Sequence, residues 1–165
     1  MFTHCGVKSM NKKTIVNVLL IVTPLLIGIA SSILTRDMMI EYGSLNKPPL
    51  APPKILFPIA WTILYILMGI GAALIYSKPE YTQYRSTGLA LHIVQLILNF
   101  FWSIIFFNMK EYVFAFVWLV ILWLVVLSMI MNYKQISNTA FFLNIPYIVW
   151  LTFAGYLNLA IAILN

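Results

Sequence analysis

Long apolar runs alternate along this chain with short polar connections. Five runs are long enough to matter: Ile15–Leu34, Ile55–Tyr76, Gly88–Phe107, Tyr112–Met131 and Thr139–Leu164. A helix needs about 20 apolar residues to cross a hydrocarbon layer of about 30 Å. Strands of a membrane barrel would be about 10 residues long with alternating polarity, so runs of this length predict helices. The expected fold class is all-α, a polytopic membrane protein built as a five-transmembrane-helix bundle. A basic tail, 1–14, precedes a single domain, 15–165.

The punctuation fits that reading. Pro58 falls in the first turn of the second helix, where a missing N–H matters least. Ser137 and Asn138 offer caps for the fifth helix. Pro24 and Pro146 lie inside helices and are expected to kink or loosen them. Gly28 with Ser32 permits a close helix contact. The connections between helices 2, 3, 4 and 5 are short, so these helices should pack as antiparallel neighbours.

The first connection differs. It runs from Arg36 to Lys54 and holds four prolines within 47–53, which favours a stiff, extended path. Two adjacent helices need no tether this long, so a lid over the bundle is expected. Lys8, Lys12 and Lys13 before the first run resemble a signal peptide. The run is too long for one, since a signal core spans about 7–15 residues, and a retained helix is expected. Met10 is an alternative start. Six cations against four favour a cytoplasmic N-terminus, with the lid facing outward.

Composition narrows the function. Hydrophobic residues make up 62% of the chain and charged residues 8%, against about 25% charged in soluble domains. Mean hydropathy is +0.96. A soluble enzyme, a secreted domain and a disordered chain are excluded, and the expected partner is membrane lipid. The net charge is +6, but every cation lies at the edge of an apolar run, where headgroups would meet it. No basic cluster is interleaved with stacking aromatics, so nucleic-acid binding is rejected. One cysteine, Cys5, and two histidines supply no metal site.

Acid–base chemistry is also poorly supplied. Asp37, Glu41, Glu80 and Glu111 all fall in connections, whereas ion-coupled transporters place ionisable groups within the membrane. His92, one turn into the third run, reads best as a packing residue. More informative are stripes at helical spacing. The third helix aligns His92, Gln95, Asn99 and Trp102. The second aligns Trp61, Tyr65, Met68 and Ala72, and the fifth Tyr147, Trp150, Ala154 and Asn158. Amides in a membrane must find partners, so the polar stripe faces inward, as interhelical glue or as a grip on a ligand; spacing leaves both open. Trp118 and Trp123 fit an interfacial belt. Trp61 and Trp150 share their stripes with small or polar residues, as a pocket lining would.

Taken in order, several segments resemble the translocator protein family, also called TspO/MBR or tryptophan-rich sensory proteins. They are Lys47-Pro48 with Pro52-Pro53, FPIAWTILY at 57–65 and Met68-Gly69. QLILNFFW at 95–102, Phe106-Phe107, PYIVW at 146–150, Phe153-Ala154 and Leu157-Asn158 follow. The resemblance covers nearly the whole chain from Met10. It implies a five-helix bundle, often dimeric, with a pocket closed by the first loop. Family members bind porphyrins such as protoporphyrin IX and haem, and some bacterial ones promote light-dependent porphyrin breakdown. Trp61 and Trp150 match the tryptophans tied to that chemistry. Pocket-lining roles carry over to Tyr42, Tyr65, Gln95, Asn99, Tyr147 and Ala154. Glu41 and Leu50 stand where the family loop commonly has tryptophan.

The expected function is therefore a membrane receptor or sensor for porphyrins and similar hydrophobic ligands. Lys47 or Lys54 is the expected partner of the propionates. No cofactor is required, porphyrin or haem being the ligand. The alternatives are porphyrin degradation using Trp61 and Trp150, and transport of small apolar solutes. A homodimer in a bacterial cell membrane is the expected setting.

Overall fold

The computed structural model describes residues 11–36 and 43–165. Five helices, each long and apolar enough to cross a membrane, carry the fold: α1 (Lys12–Leu34), α2 (Leu56–Tyr76), α3 (Thr82–Ser103), α4 (Tyr112–Lys134) and α5 (Asn138–Leu164). The described residues contain no strand. One 3-10 turn, Pro79–Tyr81, leads into α3, and a π turn, Ile104–Asn108, extends its far end. The chain then reverses through Lys110, whose φ of 57° lies in the left-handed region.

Several expected boundaries move. The first helix begins at Lys12 rather than Ile15, because the Asn11 side chain caps it by accepting the Lys13 N–H at 3.3 Å. The basic tail is correspondingly shorter than 1–14. The third helix begins at Thr82 rather than Gly88; nothing from Thr82 to Gly88 breaks a helix. Lys12, Lys13, Arg85 and Lys134 therefore sit in the end turns of helices, not beyond them. From there long side chains reach back to polar surroundings, and the Arg85 guanidinium lies 4.7 Å from the centre of the Tyr76 ring. Ser137 caps α5, as expected, by accepting the Ala140 N–H.

Packing departs from chain order at one place. The α3–α4 and α4–α5 neighbours pack extensively, but α2 leans on α1 and α5 more than on α3. Small residues cause this. A methyl group at Gly69 would come 2.6 Å from the Ile21 Cα, and one at Gly71 would strike the Asn144 carboxamide. Only a bare Cα lets α2 approach both partners so closely. Pro24 continues α1 without donating to the Leu20 carbonyl, and that oxygen would be 3.0 Å from a methyl group at Gly69. The proline and the glycine thus meet at one contact. Buried residues of α2, α3, α4 and α5 form the core, while α1 lies along its side.

Candidate aromatic and polar ligand site

The inward stripes converge as their spacing predicts. Tyr65, Met68, Ala72, Gln95, Asn99, Trp102, Tyr147, Ala154 and Asn158 are buried, and Trp61 and Trp150 are half-buried. The amides do not stand open to a ligand. Tyr65 donates its hydroxyl to Asn99 Oδ1 at 3.0 Å, and Asn99 Nδ2 donates to the Tyr147 hydroxyl oxygen at 3.0 Å. Tyr147 donates in turn to Gln95 Oε1 at 2.9 Å, and Gln95 Nε2 points at Met68 Sδ at 3.8 Å. The chain of donors ties α2, α3 and α5 together. In this arrangement the polar stripe is interhelical glue.

Aromatic rings lie over that network. Trp61 stacks on Tyr65 with ring centres 5.4 Å apart, and meets Tyr147 edge-on at 6.2 Å and Trp150 edge-on at 6.4 Å. Phe57 and Phe153 flank Trp150 at 6.1 and 5.8 Å. The Trp150 indole N–H is buried and has no hydrogen-bond acceptor among the described residues.

Beside this cluster a cavity of about 490 Å³ opens between α1, α2 and α3. Its size falls within the usual range for small-molecule sites, roughly 300–1,000 Å³. Trp61 and Tyr65 form its inner wall, and Trp102, Ser103 and Phe107 its α3 side. From α1 come Gly28, Ser31 and Ser32, followed by the capping residue Thr35 and by Arg36 at the end of that face. Arg36 is the one charged group among the described lining residues.

Of the residues expected in the site, Trp61 and Tyr65 line this cavity. Gln95, Asn99 and Tyr147 stand behind Tyr65 in the hydrogen-bond network. Trp150 does not line the cavity but touches two residues that do, Trp61 and Phe57, and Ala154 packs in the core one turn further along α5. Tyr42 lies outside the described residues. Leu50 is 69% exposed and adds nothing to the aromatic wall. Lys47 donates to the Gly43 carbonyl at 3.2 Å, and neither Lys47 nor Lys54 lines the cavity.

Sequence reasoning missed the α1 wall. The signal was present, since Gly28, Ser32 and Thr35 recur at helical spacing and Arg36 follows. Trp118 and Trp123 also do more than mark an interface. Trp118 donates to the Leu98 carbonyl at 2.8 Å and Trp123 to Thr152 Oγ1 at 2.9 Å, tying α4 to α3 and to α5. The described part of the first loop is fastened to the end of α5. Asn46 donates its backbone N–H to Asn165 Oδ1 at 3.0 Å, and Asn165 Nδ2 donates to the Asn46 carbonyl at 3.1 Å.

The chain is similar in sequence to known proteins. The family model described as TspO/MBR family matches residues 20–164. The chain is 36% identical over 157 residues to the tryptophan-rich protein TspO of Chlorobaculum tepidum, covering 94% of this chain and 99% of that protein. It is 37% identical over 124 residues to protein CrtK of Rhodobacter capsulatus, covering 75% of this chain and 78% of the relative. It is 36% identical over 118 residues to the translocator protein of Ovis aries, covering 71% and 70%. With a match along nearly the whole bundle, this five-helix integral membrane protein belongs to the TspO/MBR family.

Proposed function

We propose that this protein is a membrane receptor or sensor that binds porphyrins such as protoporphyrin IX and haem, and similar hydrophobic ligands, within its helix bundle. The observation that carries the reading is the position of Trp61. It is at once a wall of the 490 Å³ cavity and the centre of the Tyr65, Tyr147 and Trp150 ring cluster. A flat macrocycle gains stacking and apolar burial against such a surface. The Arg36 guanidinium on the cavity lining supplies donors for its carboxylate substituents. A bacterial cell membrane and a homodimer are part of the same proposal and rest on the family resemblance.

The test is quenching of tryptophan fluorescence by protoporphyrin IX in purified protein. The Trp61→Phe/Trp150→Phe variant should bind at least about tenfold more weakly, a loss of about 1.4 kcal/mol. Unchanged affinity would remove the site.

The two indoles also favour a second reading, light-dependent porphyrin breakdown. Indole can give one electron to a photoexcited macrocycle; dioxygen takes that electron from the porphyrin radical anion as superoxide, and the indole radical cation recovers an electron from the ring. Superoxide adds to the resulting porphyrin radical cation and opens a meso bridge, so that the net change is addition of one dioxygen to the porphyrin. Edge-to-face contact at 6.4 Å lets Trp61 and Trp150 share that role. Porphyrin absorbance under illumination in air, compared between wild type and the double variant, tests it. Equal rates of loss count against it.

A further inference from the structure

A second polar cluster lies away from the ligand site, toward the end of the bundle where α3 and α5 begin. His92 on α3 is 2% exposed, and Tyr133 on α4 and Asn144 on α5 are fully buried. Neither ring nitrogen of His92, nor the Tyr133 hydroxyl, nor Asn144 Oδ1 has a hydrogen-bond partner among the described residues. Three helices therefore each carry a buried, unpartnered polar side chain.

Helix register sets them at a similar depth in the bundle. The short connections make α3 and α5 antiparallel to α4, so α3 and α5 run the same way. The bond from Tyr147 to Gln95 joins them at 2.9 Å. One turn back from that bond, His92 precedes Gln95 and Asn144 precedes Tyr147 by the same three residues. Each is displaced by about 4.5 Å along its helix, so the two remain level. Tyr133 enters from α4: a methyl group at Gly88, one turn before His92, would be 3.0 Å from its ring. Asn144 is held from the other side. Its Nδ2 donates to the Ala140 carbonyl at 2.9 Å and lies against Gly71. That contact fixes which edge of the carboxamide remains for another partner.

We propose that His92, Tyr133 and Asn144 form an internal water site, in which ordered water bridges α3, α4 and α5. An imidazole, a phenol and a carboxamide oxygen between them offer both donors and acceptors, which is the partner set a buried water needs. Among the described residues no direct bond serves any of these four atoms, and the Asn144 carboxamide is held by its bond to Ala140. Within a bilayer no other solvent reaches them, and leaving them unpaired is strongly unfavourable. Water thus completes on this half of the bundle what direct side-chain bonds do around Asn99.

The sign of one substitution and one spectroscopic contact test the site. Replacing an unpaired buried polar group by an apolar one stabilises, whereas removing a bonded one destabilises. His92→Leu should therefore lower Tm by about 2–4 °C. Independently, solid-state NMR on the full chain in lipid bilayers reads transfer of water proton magnetisation to the histidine ring nitrogens. His4→Gln removes the other histidine, leaving His92 as the sole signal. Transfer from water to the His92 ring is expected. Absence of that transfer overturns the proposal, and so does a Tm that fails to fall in His92→Leu. If the variant does not fold, the NMR contact in the His4→Gln protein decides alone.

Discussion

Tyr65 donates its hydroxyl to the Asn99 side-chain oxygen at 3.0 Å across the α2–α3 interface, and this bond is the first step of a one-way chain. Each later donor follows from it. Asn99 gives its N–H to Tyr147, and Tyr147 gives its own proton to Gln95. The direction matters because each hydroxyl has one proton. A break at Asn99 leaves the buried Tyr65 hydroxyl without an acceptor and takes from the Tyr147 oxygen its donor, while Tyr147 keeps its own bond to Gln95.

Asn99→Ala should consequently cost more than the loss of any single bond. Unsatisfied buried groups cost about 1–3 kcal/mol each, against about 0.5–1.5 kcal/mol for a bond removed cleanly. Tyr65→Phe removes only the first bond and should be the milder change. Thermal unfolding in detergent gives the order. Equal Tm values for the two variants would show that the chain does not act as a unit.

Three glycines should respond to alanine in a fixed order. At Gly69 the new methyl meets backbone, the Ile21 Cα at 2.6 Å and the Leu20 oxygen at 3.0 Å, which cannot rotate away. At Gly28 it meets the Tyr65 ring, which can swing only by leaving Trp61 and Asn99. At Gly155 the nearest atom is Leu119 Cδ2 at an ordinary 3.8 Å. Gly69→Ala and Gly28→Ala should each cost about 1–3 kcal/mol by overpacking, Gly69→Ala the more. Gly155→Ala should be neutral or gain up to about 1 kcal/mol of helix propensity. Gly28→Ala alone should also weaken ligand binding, since it displaces a cavity wall. Tm and porphyrin titration on the three proteins measure both effects.

The contrast among these glycines shows how much was legible in the chain. Period and run length placed five helices and turned the Gln95–Asn99 and Tyr147–Asn158 faces inward correctly. They carry no information about which helix stands opposite a given face. Hence Asn99 was equally a ligand grip or a strut until Tyr65 and Tyr147 were seen on either side of it. The α1 wall was missed for a related reason. Its polar groups, Ser31, Ser32 and Thr35, are small, and α1 is otherwise too exposed to read as part of a core. Chain order also hid the pairing of Asn46 with Asn165, which lie 119 residues apart.

That pairing predicts a local effect without a global one. Asn165→Ala removes both the acceptor for the Asn46 N–H and the donor to its carbonyl. The groups are exposed, so water replaces them and the net loss is about 1 kcal/mol or less. The described part of the first loop should loosen while the bundle stays intact. Hydrogen exchange at the Asn46 amide should accelerate, with Tm nearly unchanged. Equal exchange in the variant would mean that the clamp does not hold the loop.

Arg36 should separate ligands by their acid groups. It is the one charge among the described residues lining the cavity, and it stands at the end of the α1 face rather than in the aromatic wall. An exposed guanidinium gives a carboxylate only a modest, salt-sensitive attraction, typically about 0.2–1 kcal/mol. Arg36→Gln should therefore weaken protoporphyrin IX binding by about fivefold, or about 1 kcal/mol. The porphyrin dimethyl ester has the same macrocycle without the charges, so wild type and Arg36→Gln should bind it equally. Raising the salt concentration should narrow the gap for the free acid and leave the ester unaffected. Arg36→Lys keeps the charge but not the bidentate fork, so its affinity should fall between the two. If the ester loses as much affinity as the acid, Arg36 acts by shaping the cavity and the charge pairing is wrong. If neither ligand responds, the carboxylates face another part of the protein.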